Sequence, residues 1–281
     1  MTSRLMPRAF ASPLWAACLG FALVAGSGAA QAETLTLGNE GVYPPFSMVD
    51  AQGKVTGVEP DLAHEACKRM NVECEIVVMD FKALIPSMLQ GKFDVMISQI
   101  IATPERKEKM LFLRRLYANP SMFVVPADFD FKFDKEYLKG KGLKLGIQRG
   151  SSFIKYMQEQ LGDSIEYVFY DNPDQSRMDL LAGRINSVFE AKINVTLQLL
   201  DKPEGKKWKL APGEYWTGDP SVPEAERGLT WAVRKDRPEL VDRFNTAITA
   251  MIEDCTYTKI RKKYLDITTL PEDAACEAKM N

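Results

Sequence analysis

The chain has 281 residues, 46% hydrophobic and 26% charged, with 36 Lys/Arg against 38 Asp/Glu and a formal charge of −2. That length is enough for two modest cores. The mildly acidic balance, with basic residues interleaved among acidic ones, argues against nucleic-acid binding, which needs clustered Lys/Arg to displace counterions. With a single histidine and no C-x-x-C motif, no metal site is expected, and no cofactor.

Arg4 and Arg8 precede an apolar run from Leu14 to Ala25 that is too short to span a bilayer, and Ala30-Gln31-Ala32 supplies small residues for cleavage. Residues 1–32 therefore read as a cleavable signal peptide, with Glu33 opening an exported, periplasmic chain. Loss of the two arginines takes the net charge from −2 to −4. Four cysteines remain, Cys67, Cys74, Cys255 and Cys276, an even number suited to an oxidising compartment. A helix-then-strand passage would bring Cys67 and Cys74 within bridging reach, and Cys255 with Cys276 would then tie down the tail. Four cysteines permit three connectivities, and the residues alone do not choose among them.

From Leu35 the pattern alternates strand and helix. Leu35–Gly38 reads as a strand. Pro60–Met70 reads as a helix, with Leu62, Ala66 and Met70 at helical spacing. Cys74–Val78 is β-rich, Lys82–Gln90 is a helix stopped by Gly91, and Val95–Ile97 is a buried type of strand. Thr103 is placed to cap a helix carrying Arg106. A second set follows: strands at Met122–Val125, Leu143–Ile147, Tyr167–Tyr170 and Ser187–Phe189, and helices after Ser151-Ser152 and over Ser176–Leu181. Trp208–Glu226 is rich in Pro, Gly and charge and reads as loop; Gly228–Val233 is apolar again, and two helices fill Pro238–Tyr264. The fold class is α/β with open sheets, whose ligands collect at the carboxyl ends of strands.

Several motifs stand in one order: Tyr43-Pro-Pro-Phe46, Gly57…Asp61-Leu-Ala63, Asp80-Phe81…Pro86, Gly91-Lys-Phe-Asp94, Thr103-Pro-Glu-Arg106, Gly146…Gly150-Ser-Ser152, Asp179-Leu180…Gly183-Arg184 and Thr256-Tyr257…Lys263-Tyr264. In these, residues 35–265 resemble the family 3, polar-amino-acid solute-binding proteins of bacterial ABC importers, and among them the basic-amino-acid and opine binders. The resemblance implies a two-lobe periplasmic-binding-protein fold of type II, with a hinge and an interlobe cleft. It places lobe 1 at residues 33–117 plus 228–281 and lobe 2 at 118–227. It also implies a Cys67–Cys74 bridge, a small carboxylated ligand, an ABC permease as partner and a monomeric protein.

The same resemblance assigns the contacts. Arg106 would pair with the ligand carboxylate, for which its planar fork is suited. Tyr43 and Phe81 would sandwich the ligand's aliphatic or guanidinium part. Glu40 would meet a distal cation, while Ser98, Gln99 and Gln148 would line the cleft. Ser151 and Ser152, at a helix start after Gly150, match the second lobe's carboxylate-binding turn. Two positions depart from the family pattern. Ile101 stands where a Ser or Thr is usual, leaving a backbone N–H to serve. Ala191 stands where an Asp holds the α-ammonium, so either Glu190 substitutes or the ligand lacks an ordinary free α-amino group, as in an opine-type conjugate. The similar cyclohexadienyl dehydratases carry a general-acid Glu where this chain has Asn194, which cannot deliver a proton in that role, so catalysis is not expected. Presentation of ligand to a membrane sensor is a further alternative.

Overall fold

Strand and helix alternate from the expected mature start onward. The computed structural model describes residues 1–2 and 33–280; the expected signal peptide, apart from its first two residues, lies outside the described residues. The first set comprises β1 (Thr34–Asn39), β2 (Val42–Tyr43), β3 (Ser47–Val49), β4 (Val55–Thr56), α1 (Val58–Met70), β5 (Glu73–Val78), α2 (Phe81–Leu89), β6 (Val95–Ile101), α3 (Pro104–Lys107) and β7 (Met110–Phe112). The second comprises β8 (Ser121–Pro126), α4 (Lys135–Leu138), β9 (Lys144–Gln148), α5 (Phe153–Leu161), β10 (Glu166–Tyr170), α6 (Pro173–Leu181), β11 (Ser187–Ala191), α7 (Lys192–Val195) and β12 (Trp208–Leu210). The chain then returns through β13 (Leu229–Arg234), α8 (Glu239–Glu253), α9 (Thr256–Lys262) and α10 (Pro271–Met280).

These elements build two lobes, each around its own sheet. The first sheet runs β5-β1-β6-β13-β7 and the second β10-β9-β11-β8-β12. Every residue of β6 is buried, as expected of a central strand covered on both faces. The apolar stripe of α1, including Leu62, Ala63 and Ala66, closes one face of the first sheet. In the second lobe, Phe123 sits among the rings of Phe131, Phe189 and Tyr215, with centroids 4.7, 4.8 and 5.4 Å away. The chain passes between lobes twice, and the two passages pair: Tyr117 N donates to Leu229 O at 3.1 Å and Leu229 N to Tyr117 O at 2.9 Å. This pair of strands is the hinge.

Two bridges form. Cys67 joins Cys74, with Cα atoms 6.2 Å apart, and Cys255 joins Cys276, with Cα atoms 5.4 Å apart. The second holds α10 over α8 and α9. There the buried Asp273 accepts hydrogen bonds from Arg261 Nε at 2.9 Å and Thr258 Oγ1 at 2.6 Å. The connector before α10 and helix α9 both reach the hinge: Ala118 N donates to Thr269 O at 2.6 Å, and the Tyr257 hydroxyl donates to Leu116 O at 2.7 Å.

Two expectations need correction. Trp208–Glu226 is not loop throughout, because Trp208–Leu210 pairs with β8 as an edge strand. A three-residue edge strand needs no alternating pattern of its own, since its partner dictates the pairing. Ser152 occupies the cap position of α5 but makes no side-chain capping bond, and Ser151 Oγ instead donates to Gln148 O at 2.7 Å. None of the described helices is long and apolar enough to cross a membrane.

Candidate functional site

The carboxyl ends of β1, β6, β9 and β11 converge on the gap between the lobes, where an open α/β sheet offers its ligand site. Glu40 follows β1, Gln99 and Ile101 end β6, Gln148 ends β9 and Ala191 ends β11. Together with Tyr43, Phe81, Arg106, Ser151 and Ser152 they line one cavity, to which Phe153 and Leu229 also contribute. All the expected contact residues therefore meet here except Ser98 and Glu190. Phe153 and Leu229 escaped sequence reasoning, because an apolar residue in a helix or strand carries no mark that it borders a cleft.

Arg106 is aimed by its cap. Thr103 Oγ1 accepts from Arg106 N at 3.3 Å and fixes the start of α3. The guanidinium then bridges the lobes, donating to Ile101 O at 2.9 Å and Gly150 O at 3.0 Å. No carboxylate lies within ion-pairing distance of it among the described residues, and burial lowers its pKa to about 10. Gly150 has φ +81°, and a Cβ there would come within 2.8 Å of Lys82 Cα on α2. Only glycine lets the loop of the second lobe lie so close to the first.

Glu40 is 4% exposed and also spans the gap, its Oε2 accepting from Gln148 Nε2 at 2.9 Å. Burial pushes its carboxyl up to about 7; the Gln148 bond acts against this, and the nearby Glu190 adds to it. Ser98 is fully buried behind it and accepts from Glu40 N at 3.0 Å, so it shapes the loop without facing the cavity. Gln99 is 7% exposed and borders the cavity, and neither Nε2 nor Oε1 has a hydrogen-bond partner. An unpaired buried amide is costly unless something brought into the cavity meets it. The Tyr43 hydroxyl lies against the Ala191 amide, and burial raises its pKa far above the ordinary phenol value.

Glu190 does not border the cavity. Successive strand residues point to opposite faces, so Ala191 borders the cavity while Glu190 turns toward α6 and pairs with the buried Arg177. Arg177 also binds Asp174 at 2.6 Å. Sequence reasoning also missed Glu59, in the first turn of α1. It is 1% exposed, accepts from Trp231 Nε1 at 3.2 Å and is raised well above the usual carboxylate range by burial.

The inner cavity measures about 30 Å³, roughly one water's share of liquid volume. Outside it, sharing Arg106, Ser151 and Ser152, opens a mouth of about 440 Å³ bordered by Lys155, Tyr156, Thr217 and Gly218. With the lobes in this arrangement, the space beside Gln99 and Glu40 does not admit a molecule of amino-acid size.

Residues 35–267 match the model of the bacterial extracellular solute-binding proteins, family 3. The chain belongs to this family. It is similar to the lysine/arginine/ornithine-binding periplasmic protein of Escherichia coli K12, 34% identical over 253 residues, covering 88% of this chain and 94% of that protein. It is similar as well to ABC transporter arginine-binding protein 1 of the same organism, 32% identical, covering 84% and 93%. Among solved structures, an ancestral arginine-binding protein bound to arginine superimposes with a TM-score of 0.71 at 30% identity, covering 83% of this chain and 98% of that one. These relatives are named as binding proteins.

Proposed function

We propose that this protein is the periplasmic substrate-binding component of an ABC importer, capturing a basic amino acid or an N-substituted, opine-like derivative between its lobes. What carries the reading is the buried Gln99 amide, unpaired at both ends and bordering the same cavity as Arg106 and Glu40. Arg106 takes the ligand carboxylate, Glu40 the distal cation, and Tyr43 and Phe81 flank the chain between them. Ser151, Ser152 and Gln148 contribute from lobe 2, and closure swings them onto the ligand. Residues 33–117 plus 228–281 form one moving body and 118–227 the other, after removal of residues 1–32 as a signal peptide. A ligand that touches both bodies binds the closed state better and so shifts the population toward it. The closed monomer then docks on a membrane permease, as the naming of an arginine-binding relative for its ABC transporter supports.

Ala191 narrows the ligand class. It contributes no carboxylate to an α-ammonium, and Glu190 is engaged with Arg177. An α-nitrogen carrying a carboxyalkyl group does not need that partner in the same way. The binding role, rather than dehydration of a cyclohexadienyl acid, is supported by Asn194, which donates to Pro44 O at 3.2 Å and accepts from Asn119 Nδ2 at 3.3 Å. Thermal melting of ligand-stripped mature protein against L-arginine, L-lysine, L-glutamine, opines, betaines and prephenate tests the reading. Ligand binding to the folded state raises the midpoint by mass action. Stabilisation by the basic or N-substituted acids is expected. Stabilisation by prephenate alone would sink the proposal.

A further inference from the structure

Behind the cavity lies a group of charges out of balance. Glu40 follows β1, Glu59 lies in the first turn of α1 and Glu190 is the next-to-last residue of β11; all three are at most 5% exposed. The cation buried among them is Arg177, already shared between Glu190 and Asp174. Glu59 has neutral partners, Trp231 and Asn39. Glu40 has Gln148 from β9, with Ser98 of β6 bonded to its backbone. Glu190 Oε2 has no partner. Arg106 borders the cavity from α3 but is held by the carbonyls of Ile101 and Gly150. Three ionised carboxylates facing one guanidinium in a low dielectric would leave uncompensated negative charge, which is expensive to bury.

We infer that the cleft trades a proton for the ligand's positive charge: Glu40 is a neutral acid in the closed, ligand-free protein and ionises as a cationic side chain enters. The O–H bond of Glu40 breaks, the proton leaves to solvent, and the ligand's N–H groups bond the carboxylate that remains. Glu40 is the group that exchanges because it borders the cavity, whereas Glu59 and Glu190 lie behind it. Its carboxyl, raised to about 7 by burial, sits where such an exchange would be felt near neutrality. Below that range a cationic ligand must displace the proton, and its affinity falls. A neutral ligand of the same shape displaces nothing. The cleft would therefore discriminate between arginine and citrulline in alkaline medium and progressively lose that discrimination in acid.

This rests on the ligand reading proposed above, and titration calorimetry separates the two. L-Arginine and N2-(1-carboxyethyl)-L-arginine serve as cationic probes and L-citrulline as the neutral one, in buffers of low and high ionisation enthalpy from pH 5.5 to 8.5. Each cationic probe that binds should release close to one proton at the acid end and almost none at the alkaline end. Its affinity should rise about tenfold per pH unit below neutrality and then level off. Citrulline should release no proton. Glu40→Gln should abolish both the release and the preference for the cation, while Glu59→Gln should keep both. Binding of a cationic probe with no proton release and a flat pH profile overturns the exchange and leaves the ligand reading intact. Release lost in Glu59→Gln but kept in Glu40→Gln overturns the assignment to Glu40. Failure of both cationic probes to bind at any pH overturns the exchange together with the ligand reading.

Discussion

Across the rim of the cleft Lys82 meets Asp171 at 2.8 Å, Lys107 meets Asp219 at 2.7 Å, and Lys155 pairs with Glu105. Inside, a few bonds cross between lobes: Arg106 to Gly150 O, Gln148 to Glu40 and Asn194 to Pro44 O. The rim pairs keep at least one partner substantially exposed, so each contributes little and salt weakens it. Of the inner bonds, Gln148 to Glu40 and Asn194 to Pro44 O are partly buried, so an unmet partner there is costly, while Arg106 to Gly150 O is open to solvent. Rim charges therefore bias how readily the lobes approach, and the interior decides what they close on.

The largest effect expected is at Arg106. Arg106→Ala should cost about 2–5 kcal/mol of ligand binding, roughly 30- to several-thousand-fold in Kd by calorimetry. A loss below threefold would break the division between rim and interior. Next comes pH. Glu40 is raised from 4.5 to about 7 on folding, so it favours the folded state most below 4.5 and loses that contribution as pH rises through 7. Rim acids such as Asp171 are instead held below their usual range, chiefly by Lys82, and act at lower pH. From Glu40 alone the ligand-free protein should thus lose on the order of 3 kcal/mol between pH 4.5 and 8, read as a falling Tm that Glu40→Gln makes shallower while Glu59 and Glu190 keep part of the fall. A midpoint that climbs over this interval would contradict the neutral Glu40.

Ala191→Asp should come third, restoring a carboxylate for a free α-ammonium. Affinity for L-arginine relative to its N-carboxyethyl derivative should improve by about 1.5–3 kcal/mol, roughly ten- to a hundredfold; an unchanged ratio would remove Ala191 as the selector. The smallest effect belongs to the rim. Lys155→Ala or Lys107→Ala should change Kd by less than about 1 kcal/mol, and the difference should vanish in 1 M salt. Persistence at high salt would show that the rim does more than bias closure.

Much of the fold was legible where local chemistry governs it. Thr103-Pro-Glu-Arg106 announced a capped helix and hence the aim of Arg106, and the apolar spacing of Leu62 and Ala66 gave α1. What escaped depends on partners far along the chain. Glu59, just before the helix read from Pro60, carries no local sign of burial, but Trp231, 172 residues away, donates to it. Glu190 looked like a neighbour able to stand in for the aspartate absent at Ala191, yet strand parity and the docking of α6 turn it toward Arg177. The small sheet of β2, β3 and β4 was invisible because strands of two or three residues have no period to read. Gln99 could be nominated from family position, but its unpaired amide appears only in the folded structure.

The family match stops at residue 267, yet the chain beyond it is structurally engaged. Thr269 holds Ala118 at the start of lobe 2, Asp273 holds Arg261 and Thr258, and Cys276 anchors the last helix to Cys255. A chain ended at residue 267 would keep every cleft residue and still lose the bracket that ties Leu116 and Ala118 to the tail.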